Sequence, residues 1–303
     1  MKVGIQLPEV EREVKWPEFR DIAVTAEESG FDSIWVGDHL LFRDDETGTR
    51  GPWEAWSTLA ALAEATSRVE LGPLVAATSF HSPAMIAKKA ATVDEISGGR
   101  LILGLGAGWS KVEYEAFGFP YDNRVSRFEE AFTIIRTLVR EGSIDFSGQF
   151  YELRDMELLP AARPDMKLMV GSNGPRMLRI AAPHVDMWNT WHVWFGNHPS
   201  GLVPLVAELE SACGEVGRDP AEIEKTAAVY VQLSRGEGRV AGSEDRPKAP
   251  PISGSHEDIA RGLDGFADAG LHHIQVVLDP IDAAAVEELA EIRHLMQGVN
   301  TVL

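Results

Sequence analysis

The chain has 303 residues, of which 28 are basic and 47 acidic, so its formal net charge is −19. This surplus of negative charge repels a nucleic-acid backbone and an anionic membrane surface, and we expect neither as a partner. With 44% hydrophobic and 25% charged residues, the composition is typical of a folded globular protein with a large core.

Cysteine content and apolar runs bear on the compartment. The single cysteine, Cys213, cannot form an intramolecular disulfide. The first residues, MKVGIQLPEVE, lack the apolar stretch of a signal peptide, and no apolar run reaches the roughly 18 residues of a spanning helix. These features predict a cytoplasmic protein.

Short apolar runs rich in β-branched residues recur along the whole chain and predict eight strands. In chain order the predicted strands are Val3–Leu7, Ser33–Gly37, Val69–Thr78, Leu101–Gly106, Lys167–Gly171, Val185–Asn189, Lys225–Leu233 and His273–Leu278.

Helical stripes lie between these strands. Apolar residues at positions 19, 22, 23 and 26 follow the spacing of one helix face, as do those at 128, 131, 132 and 135. A longer stripe from Leu202 to Val216 includes Cys213, which is therefore expected to be a small core residue. Gly30 and Gly270 each stand between a helix and a strand, where we expect the left-handed conformation.

Eight strands alternating with helices predict a parallel α/β sheet that closes into a TIM (β/α)8 barrel, formed as one domain over residues 1–303. An open doubly wound sheet is the alternative. Insertions are expected after strand 4, where residues 142–166 include a small hairpin at SGQFYEL, and after strand 7, at residues 234–253.

The active site of such a barrel forms at the carboxyl ends of the strands. Four segments lie there: Asp38–His39, Ala76–His81, Ala107–Trp109 and Gly171–Arg176. The last, GSNGPR, presents small residues, a hydroxyl and a cation at a helix start, which favours a phosphate site. A tight strand-to-helix turn with Pro175 in the first helical position is the structural alternative.

Gly104, Gly106 and Gly108 alternate at the end of the fourth strand without the spacing of a dinucleotide-binding fingerprint. Glycines at a strand end leave room for a flat ring or another backbone, with Trp109 as a wall, or they form a barrel layer that needs little side-chain volume. Both interpretations remain open.

His39 follows a strand and a carboxylate, which makes it a candidate acid–base residue. His184, His272 and His273 lack such a position and are expected to be structural. The sequence has no H-E-x-x-H or C-x-x-C motif, so no dedicated metal site is predicted.

Taken together, these segments resemble the bacterial luciferase-like monooxygenase superfamily, and most closely its branch of coenzyme F420-dependent oxidoreductases. The resemblance covers nearly the whole chain and includes FDSIWVGDHL, HSPAMIAKKAATVDEISGGRLILGLGAGW and VGSNGPRMLRIAAPHVDMWN.

The resemblance implies a homodimeric TIM barrel that holds a deazaflavin (coenzyme F420) or FMN at its carboxyl face, with Asp38 and His39 beside the ring. It implies that His39 is the proton donor or acceptor, and that a bulge, often with a cis non-prolyl bond, lies at residues 73–75. The implied cofactor-binding residues are Asp38, His39, Leu74, Val75, Ala76, Gly106, Ala107, Gly108, Trp109, Gly171, Ser172, Asn173, Gly174, Pro175 and Arg176.

One residue departs from a branch of that family. The sugar-phosphate dehydrogenases have a catalytic glutamate where this chain has Trp109, so a sugar phosphate is not the expected substrate. The resemblance implies hydride transfer to or from a small organic substrate if the cofactor is F420. If it is FMN, the implied activity is oxygenation supported by a separate reductase, and a non-catalytic cofactor carrier is a third alternative.

Overall fold

A computed structural model describes residues 1–44, 48–238 and 249–296 of the chain. Thirteen strands are found in these ranges: β1 Lys2–Gln6, β2 Ser33–Val36, β3 Phe42–Asp44, β4 Gly48–Arg50, β5 Glu70–Pro73, β6 Ala76–Ala77, β7 Ile102–Gly106, β8 Ser143–Ser147, β9 Glu152–Glu157, β10 Lys167–Gly171, β11 Met187–Trp191, β12 Glu224–Gln232 and β13 His273–Asp279. The α-helices of the same ranges are α1 Trp16–Glu28, α2 Ala55–Ala65, α3 Pro83–Ser97, α4 Lys111–Phe117, α5 Arg124–Glu141, α6 Pro175–Ala181, α7 Leu202–Val216, α8 His256–Asp268 and α9 Ala283–Leu295.

The main sheet is a parallel barrel, as the sequence predicts. Nine strands pair in the order β5-β2-β1-β13-β12-β11-β10-β7-β6. The two end strands, β5 and β6, are halves of the single predicted strand Val69–Thr78, so the sheet returns to the strand from which it starts. The open doubly wound alternative is therefore excluded, and the TIM-barrel prediction is confirmed.

The interruption between β5 and β6 is where the barrel closes. Val36 in β2 is the register partner of Pro73, while Gly106 in β7 is the partner of Ala77. The peptide bond between Leu74 and Val75 is cis, at the position that the resemblance implies. The two halves of this strand thus pair with different neighbours.

The helices surround the barrel and bury the predicted stripes against it. In α1 the buried residues are Phe19, Ile22, Ala23 and Ala26, and the predicted positions of α5 are buried as well. Cys213 is fully buried in α7, which confirms its place in the core. Gly30 and Gly270 both adopt φ of +85°, as their positions after α1 and α8 predict.

The barrel interior combines an apolar layer with polar side chains at the amino end of the strands. Large buried residues inside include Trp35, Met169 and Met187. Below them, Ser33 Oγ lies 2.7 Å from His273 Nε2 and accepts a hydrogen bond from Trp35 Nε1 at 2.7 Å. His273, predicted to be structural, is fully buried here.

The sixth predicted strand and the predicted insertions compare with the structure as follows. The predicted strand Val185–Asn189 is observed at Met187–Trp191, because Val185 is buried in the preceding connection and not in the strand. The predicted hairpin after strand 4 is present as the antiparallel pair β8 and β9. Residues 239–248 of the second predicted insertion lie outside the described residues.

Within the described ranges, no helix combines the length and the apolar character that crossing a membrane requires. The extent of the predicted single domain stays a prediction.

Candidate active site

All four predicted segments lie at the same end of the barrel, because every pairing in the main sheet is parallel. They follow or end the strands β2, β5 with β6, β7 and β10. The predicted residues at these ends are Asp38, His39, Leu74, Val75, Ala76, Gly106, Ala107, Gly108, Trp109, Gly171, Ser172, Asn173, Gly174, Pro175 and Arg176. This end of the barrel is called the carboxyl rim below.

Asp38, just after β2, is hydrogen-bonded to β6, the second half of the interrupted strand. Its side chain is buried, and Oδ2 accepts a hydrogen bond from the Ala77 backbone N–H at 2.8 Å. Its other oxygen, Oδ1, has no hydrogen-bond partner among the described residues. One carboxylate oxygen of Asp38 therefore holds β6 in place, and the second has no donor within the described part of the chain.

His39 is held by a glutamate that the sequence analysis did not select. Its Nδ1 lies 2.9 Å from Glu113 Oε2 and 3.1 Å from Glu113 Oε1. The imidazole is flanked by two aromatic rings, with centroid distances of 4.7 Å to Phe42 and 5.5 Å to Trp109. About a fifth of the side chain, 20%, stays exposed. The ring is thus fixed in orientation but remains accessible.

A second glutamate faces the other nitrogen of His39. Glu9 Oε1 lies 4.0 Å from His39 Nε2, beyond hydrogen-bonding distance. Gly37 makes this approach possible, because a Cβ added there would lie 1.7 Å from Glu9 Oε1. The imidazole therefore lies between two carboxylates contributed by different parts of the chain.

These charges set the protonation of the pair. Burial disfavours the charged imidazole, but the charge of Glu9, the hydrogen bond and charge of Glu113, and the charge of Asp38 outweigh it, so the pKa of His39 is raised. Burial likewise opposes the charge of Glu113. The hydrogen bond and charge of His39 and the N–H groups of Leu40 and Leu41 outweigh it, so the pKa of Glu113 is lowered. A raised pKa extends the pH range in which His39 is protonated, which suits it to donate a proton.

Sequence reasoning missed Glu9 and Glu113, although one signal was present. Ser110 and Glu113 form the S-x-x-E pattern that favours a capping box at a helix start. In the structure Ser110 is the N-cap of α4 without a side-chain capping bond, and Glu113 contacts His39 instead. The S-x-x-E pattern at the carboxyl rim was thus the available sequence signal for Glu113, and its contact with His39 is visible only in the structure.

Two of the alternating glycines, Gly104 and Gly106, make room for the segment of residues 73–75, and Gly171 in β10 does the same. A Cβ added at Gly106 would lie 2.7 Å from Val75 Cγ2, and one added at Gly171 would lie 2.9 Å from Val75 Cγ1. At Gly104 an added Cβ would lie 2.3 Å from the Pro73 carbonyl oxygen. Of the two open interpretations, the structure therefore favours close approach of the neighbouring chain segment at Gly104 and Gly106.

Gly108 has a different role from the other two. It adopts φ of +70°, and an added Cβ would lie 2.3 Å from the Tyr114 hydroxyl oxygen. That hydroxyl donates a hydrogen bond to the Ala107 carbonyl at 2.7 Å. Gly108 thus lets α4 pack closely under the loop that carries Trp109, which lies against His39.

The turn at residues 171–176 is open on one side. Its Gly174 N–H lies 3.4 Å from Ser172 Oγ, and a Cβ added at Gly174 would meet nothing closer than that hydroxyl, at 4.0 Å. Arg176 donates hydrogen bonds to Ser126 Oγ at 3.0 Å and to Glu129 Oε2 at 2.7 Å. The guanidinium is therefore paired with α5, and its predicted contact with a cofactor phosphate stays a prediction.

Buried oxygen atoms without hydrogen-bond partners occur at the carboxyl rim. Those at or just beyond the strand ends, counted over the described residues, belong to Gln6, Asp38, Asn173 and Thr190. Buried polar atoms are normally satisfied in native proteins, so a group of them indicates a missing partner. The rim therefore fits a ligand with several hydrogen-bonding atoms, as the polar edge of a flavin or deazaflavin ring provides.

A possible metal site lies beside Asp38. In the described part of the chain, potential ligand atoms of Asp38, Glu54 and His81 lie within 4.8 Å of one another. However, Lys89 Nζ lies 3.1 Å from His81 Nδ1, and an ammonium group only donates. His81 therefore accepts at Nδ1 and has its proton on Nε2, the atom that would have to bind the metal. The chemistry of these residues disfavours a metal ion.

The chain is similar to known proteins in both sequence and structure. The sequence profile described as luciferase-like monooxygenase matches residues 1–241. The 5,10-methylenetetrahydromethanopterin reductase of Archaeoglobus fulgidus is 35% identical over 247 residues, which cover 80% of this chain and 68% of that protein. An F420-dependent glucose-6-phosphate dehydrogenase of Amycolatopsis mediterranei is 36% identical over 166 residues, 53% of this chain and 49% of that protein.

Among solved structures, an F420-dependent secondary alcohol dehydrogenase in complex with an F420–acetone adduct superposes with a TM-score of 0.81. The match covers 98% of this chain and 99% of that one, at 19% identity, which supports the fold alone. The profile confirms the predicted family. The name of the F420-dependent glucose-6-phosphate dehydrogenase agrees with the predicted enzyme class and coenzyme.

Proposed function

Because the chain belongs to the luciferase-like monooxygenase family, we propose that it is an F420-dependent oxidoreductase acting on a small organic substrate. In this proposal His39 is the group that donates or accepts the accompanying proton. The observation that carries it is the position of His39 at the carboxyl rim, between Glu9 and Glu113, with part of its ring exposed.

The carboxyl rim would hold the cofactor through several of its strand ends. Val75 and Ala107 offer apolar surface beside the interrupted strand, and Asp38 and Asn173 offer buried oxygens without partners among the described residues. The turn at residues 171–176 would lie along the cofactor's phosphate-bearing tail. When bound, a deazaflavin supplies a carbon centre that gives or takes a hydride.

The protein's own contribution is positioning and proton transfer. Trp109 and Phe42 keep the His39 ring in place, so a substrate at the rim would meet an imidazole of fixed orientation. The surrounding carboxylates favour its protonated form, which suits donation of a proton to a substrate oxygen as the substrate is reduced. In the reverse direction the neutral imidazole would take that proton back.

The alternative is an FMN-using monooxygenase that receives reduced FMN from a separate reductase. The matching family is described as luciferase-like monooxygenase, which supports this alternative. A non-catalytic cofactor carrier is a further alternative. The proposed homodimer and the cytoplasmic location stay predictions.

A binding titration separates the cofactors. Purified protein is titrated with F420 and, separately, with FMN, and quenching of cofactor fluorescence is followed. We expect saturable binding of F420 with a Kd at least about tenfold below that of FMN, a difference of about 1.4 kcal/mol. Tighter binding of FMN, together with oxygen consumption in the presence of reduced FMN, would replace this proposal by the monooxygenase.

Replacement of His39 tests the proton transfer. Oxidation of reduced F420 is measured with a panel of ketones, aldehydes and enones for the wild type, His39→Ala and the surface control His184→Ala. We expect His39→Ala to lower kcat by about 10²–10⁴-fold while F420 still binds, because general acid–base catalysis contributes about that much. Unchanged turnover in His39→Ala, or bound F420 without turnover of any panel member by the wild type, would favour the carrier.

A further inference from the structure

The buried carboxylate of Glu113 in α4 forms its hydrogen bonds with residues outside its own helix. It is fully buried and accepts hydrogen bonds from the Leu40 N–H at 2.6 Å and the Leu41 N–H at 3.3 Å, both through Oε1. Its Oε2 lies 2.9 Å from His39 Nδ1. One side chain of α4 thus anchors the segment after β2 and one nitrogen of the imidazole.

The chemistry of this contact determines which nitrogen has the proton. An ionised carboxylate only accepts hydrogen bonds, so the atom that faces it must be a donor. When His39 is neutral, its proton must therefore be on Nδ1. The unprotonated nitrogen is then Nε2, which lies 4.0 Å from Glu9 Oε1.

We infer that Glu113 is a positioning residue that keeps the proton of neutral His39 on Nδ1 and thereby makes Nε2 the atom that exchanges a proton with the substrate. This inference rests on the proposed function of His39, and it names the side chain and the atom on which that function depends. Glu113 itself does not reach the reacting atoms.

The geometry separates the roles of the two glutamates. Glu113 is within hydrogen-bonding distance of the ring and determines its tautomer. Glu9 is beyond that distance and acts on the ring by charge alone, with Asp38 as the third nearby carboxylate. Removal of either charge lowers the pKa of His39, whereas only a change at Glu113 moves the proton between nitrogens.

Glu113→Gln is the informative variant, because it distinguishes positioning from simple anchoring. The amide oxygen of glutamine can still accept from the Leu40 and Leu41 N–H groups, so the anchoring role is retained. The amide NH₂ then faces Nδ1 at the closer position and can only donate, which favours the neutral His39 tautomer that accepts at Nδ1 and has its proton on Nε2. Two controls are Glu115→Gln, an exposed α4 glutamate paired with Lys111 at 3.2 Å, and Glu9→Gln.

The tautomer is measured without cofactor or substrate, by long-range ¹H–¹⁵N correlation NMR of ¹⁵N-histidine-labelled protein above the pKa of His39. We expect the Nδ1-protonated form in the wild type, Glu115→Gln and Glu9→Gln, and the Nε2-protonated form in Glu113→Gln. The kcat for F420-dependent reduction of a carbonyl substrate from the panel should fall about 10²–10⁴-fold in Glu113→Gln, as expected when a catalytic histidine adopts the wrong tautomer. Its pH profile should shift to lower pH.

The NMR result and the kinetic result each test the role of Glu113 independently. An Nε2-protonated neutral His39 in the wild type overturns the inference, and this result needs no folded variant. Unchanged kcat and an unchanged pH profile in a folded Glu113→Gln also overturn it, since anchoring alone would account for the contacts. If the tautomer changes as expected but the wild type neither binds nor turns over F420, the proposed function fails while the assignment of the tautomer to Glu113 is supported.

Discussion

Each end of the barrel contains a histidine, and the surroundings of the two histidines are opposite. At the carboxyl rim, His39 lies among Glu9, Asp38 and Glu113, and its pKa is raised. At the amino end, His273 is fully enclosed, and burial together with the positive charges of Lys2, Lys167 and the amino terminus lowers its pKa to about 3. The surroundings of His39 therefore favour its charged form, whereas those of His273 favour its neutral form.

The glycines of the two ends differ in the same sense. Gly4 in β1 leaves room for the Ser33 hydroxyl, which contacts both Trp35 and His273. At the rim, by contrast, Gly174 borders open space. Gly4 completes an internal hydrogen-bonded layer, whereas Gly174 leaves one side of its turn open. In TIM barrels the residues at the amino end of the strands usually serve stability, and those at the carboxyl end usually form the active site.

The largest expected effect concerns the opposite pH responses of the two histidines. His273 has a folded pKa below its unfolded value of about 6.5, so the unfolded chain binds the extra proton and stability falls as the pH drops from about 6.5 toward 3, by up to about 1.4 kcal/mol per pH unit. His39 has a raised folded pKa. Its stabilising contribution is present below about pH 6.5 and is lost as the pH rises through the folded pKa.

Urea unfolding of the wild type, His273→Gln and His39→Gln between about pH 5 and 8 measures both contributions. Stability of His273→Gln should depend less on pH on the acid side, and that of His39→Gln less on the alkaline side. A wild-type His273 that titrates near its ordinary pKa by NMR would contradict the comparison.

A smaller effect is expected when the same substitution is made at each end. In Gly4→Ala the new Cβ would lie 2.0 Å from Ser33 Oγ and 2.9 Å from Trp35 Nε1, so the hydrogen-bonded layer must move. We expect a loss of about 2–4 kcal/mol in the free energy of unfolding, from overpacking and a disrupted buried hydrogen bond. Gly174→Ala, where the nearest atom is 4.0 Å away, should stay within about 0.5 kcal/mol of the wild type. Equal losses in the two variants would show that the ends are packed alike.

The fold of both ends could be predicted from the sequence, because strands and helices leave periodic apolar patterns. The stripe of α1 and the strand Lys167–Gly171 were predicted as observed. Residues at strand ends could be placed at the rim, since parallel strands share one carboxyl end. A buried apolar residue outside a strand shifted a predicted strand boundary only locally, as at Val185.

Side-chain partners across the chain could not be predicted in this way. Glu113 meets His39 across 74 positions of sequence, and Gly106 makes room for Val75. Such contacts depend on where the closed barrel brings two loops together, and no local period records them. The rim was therefore predicted as a place, while the pair of carboxylates that controls its histidine emerged only from the structure.

The smallest effect on stability is expected at the edge of the rim, where Arg176 is half exposed and paired with Glu129. Arg176→Ala should change the free energy of unfolding by less than about 1 kcal/mol, because exposed ion pairs contribute little. If the turn at residues 171–176 holds the cofactor phosphate, the same variant should raise the Kd for F420 about tenfold, through loss of a charge-assisted hydrogen bond. It should leave binding of a deazaflavin that lacks the phosphate-bearing tail unchanged.

Arg179→Ala is the matched control, since Arg179 lies one turn further along α6 and is 4.0 Å from Glu215. It removes the same charge from the same helix, so a general electrostatic effect would weaken F420 binding equally in both variants. A loss confined to Arg176→Ala and to the phosphate-bearing cofactor means that its guanidinium leaves Glu129 when the cofactor binds. An equal Kd for the wild type and Arg176→Ala means that the turn binds through its backbone alone, and that Arg176 belongs to the surface of α5 and α6.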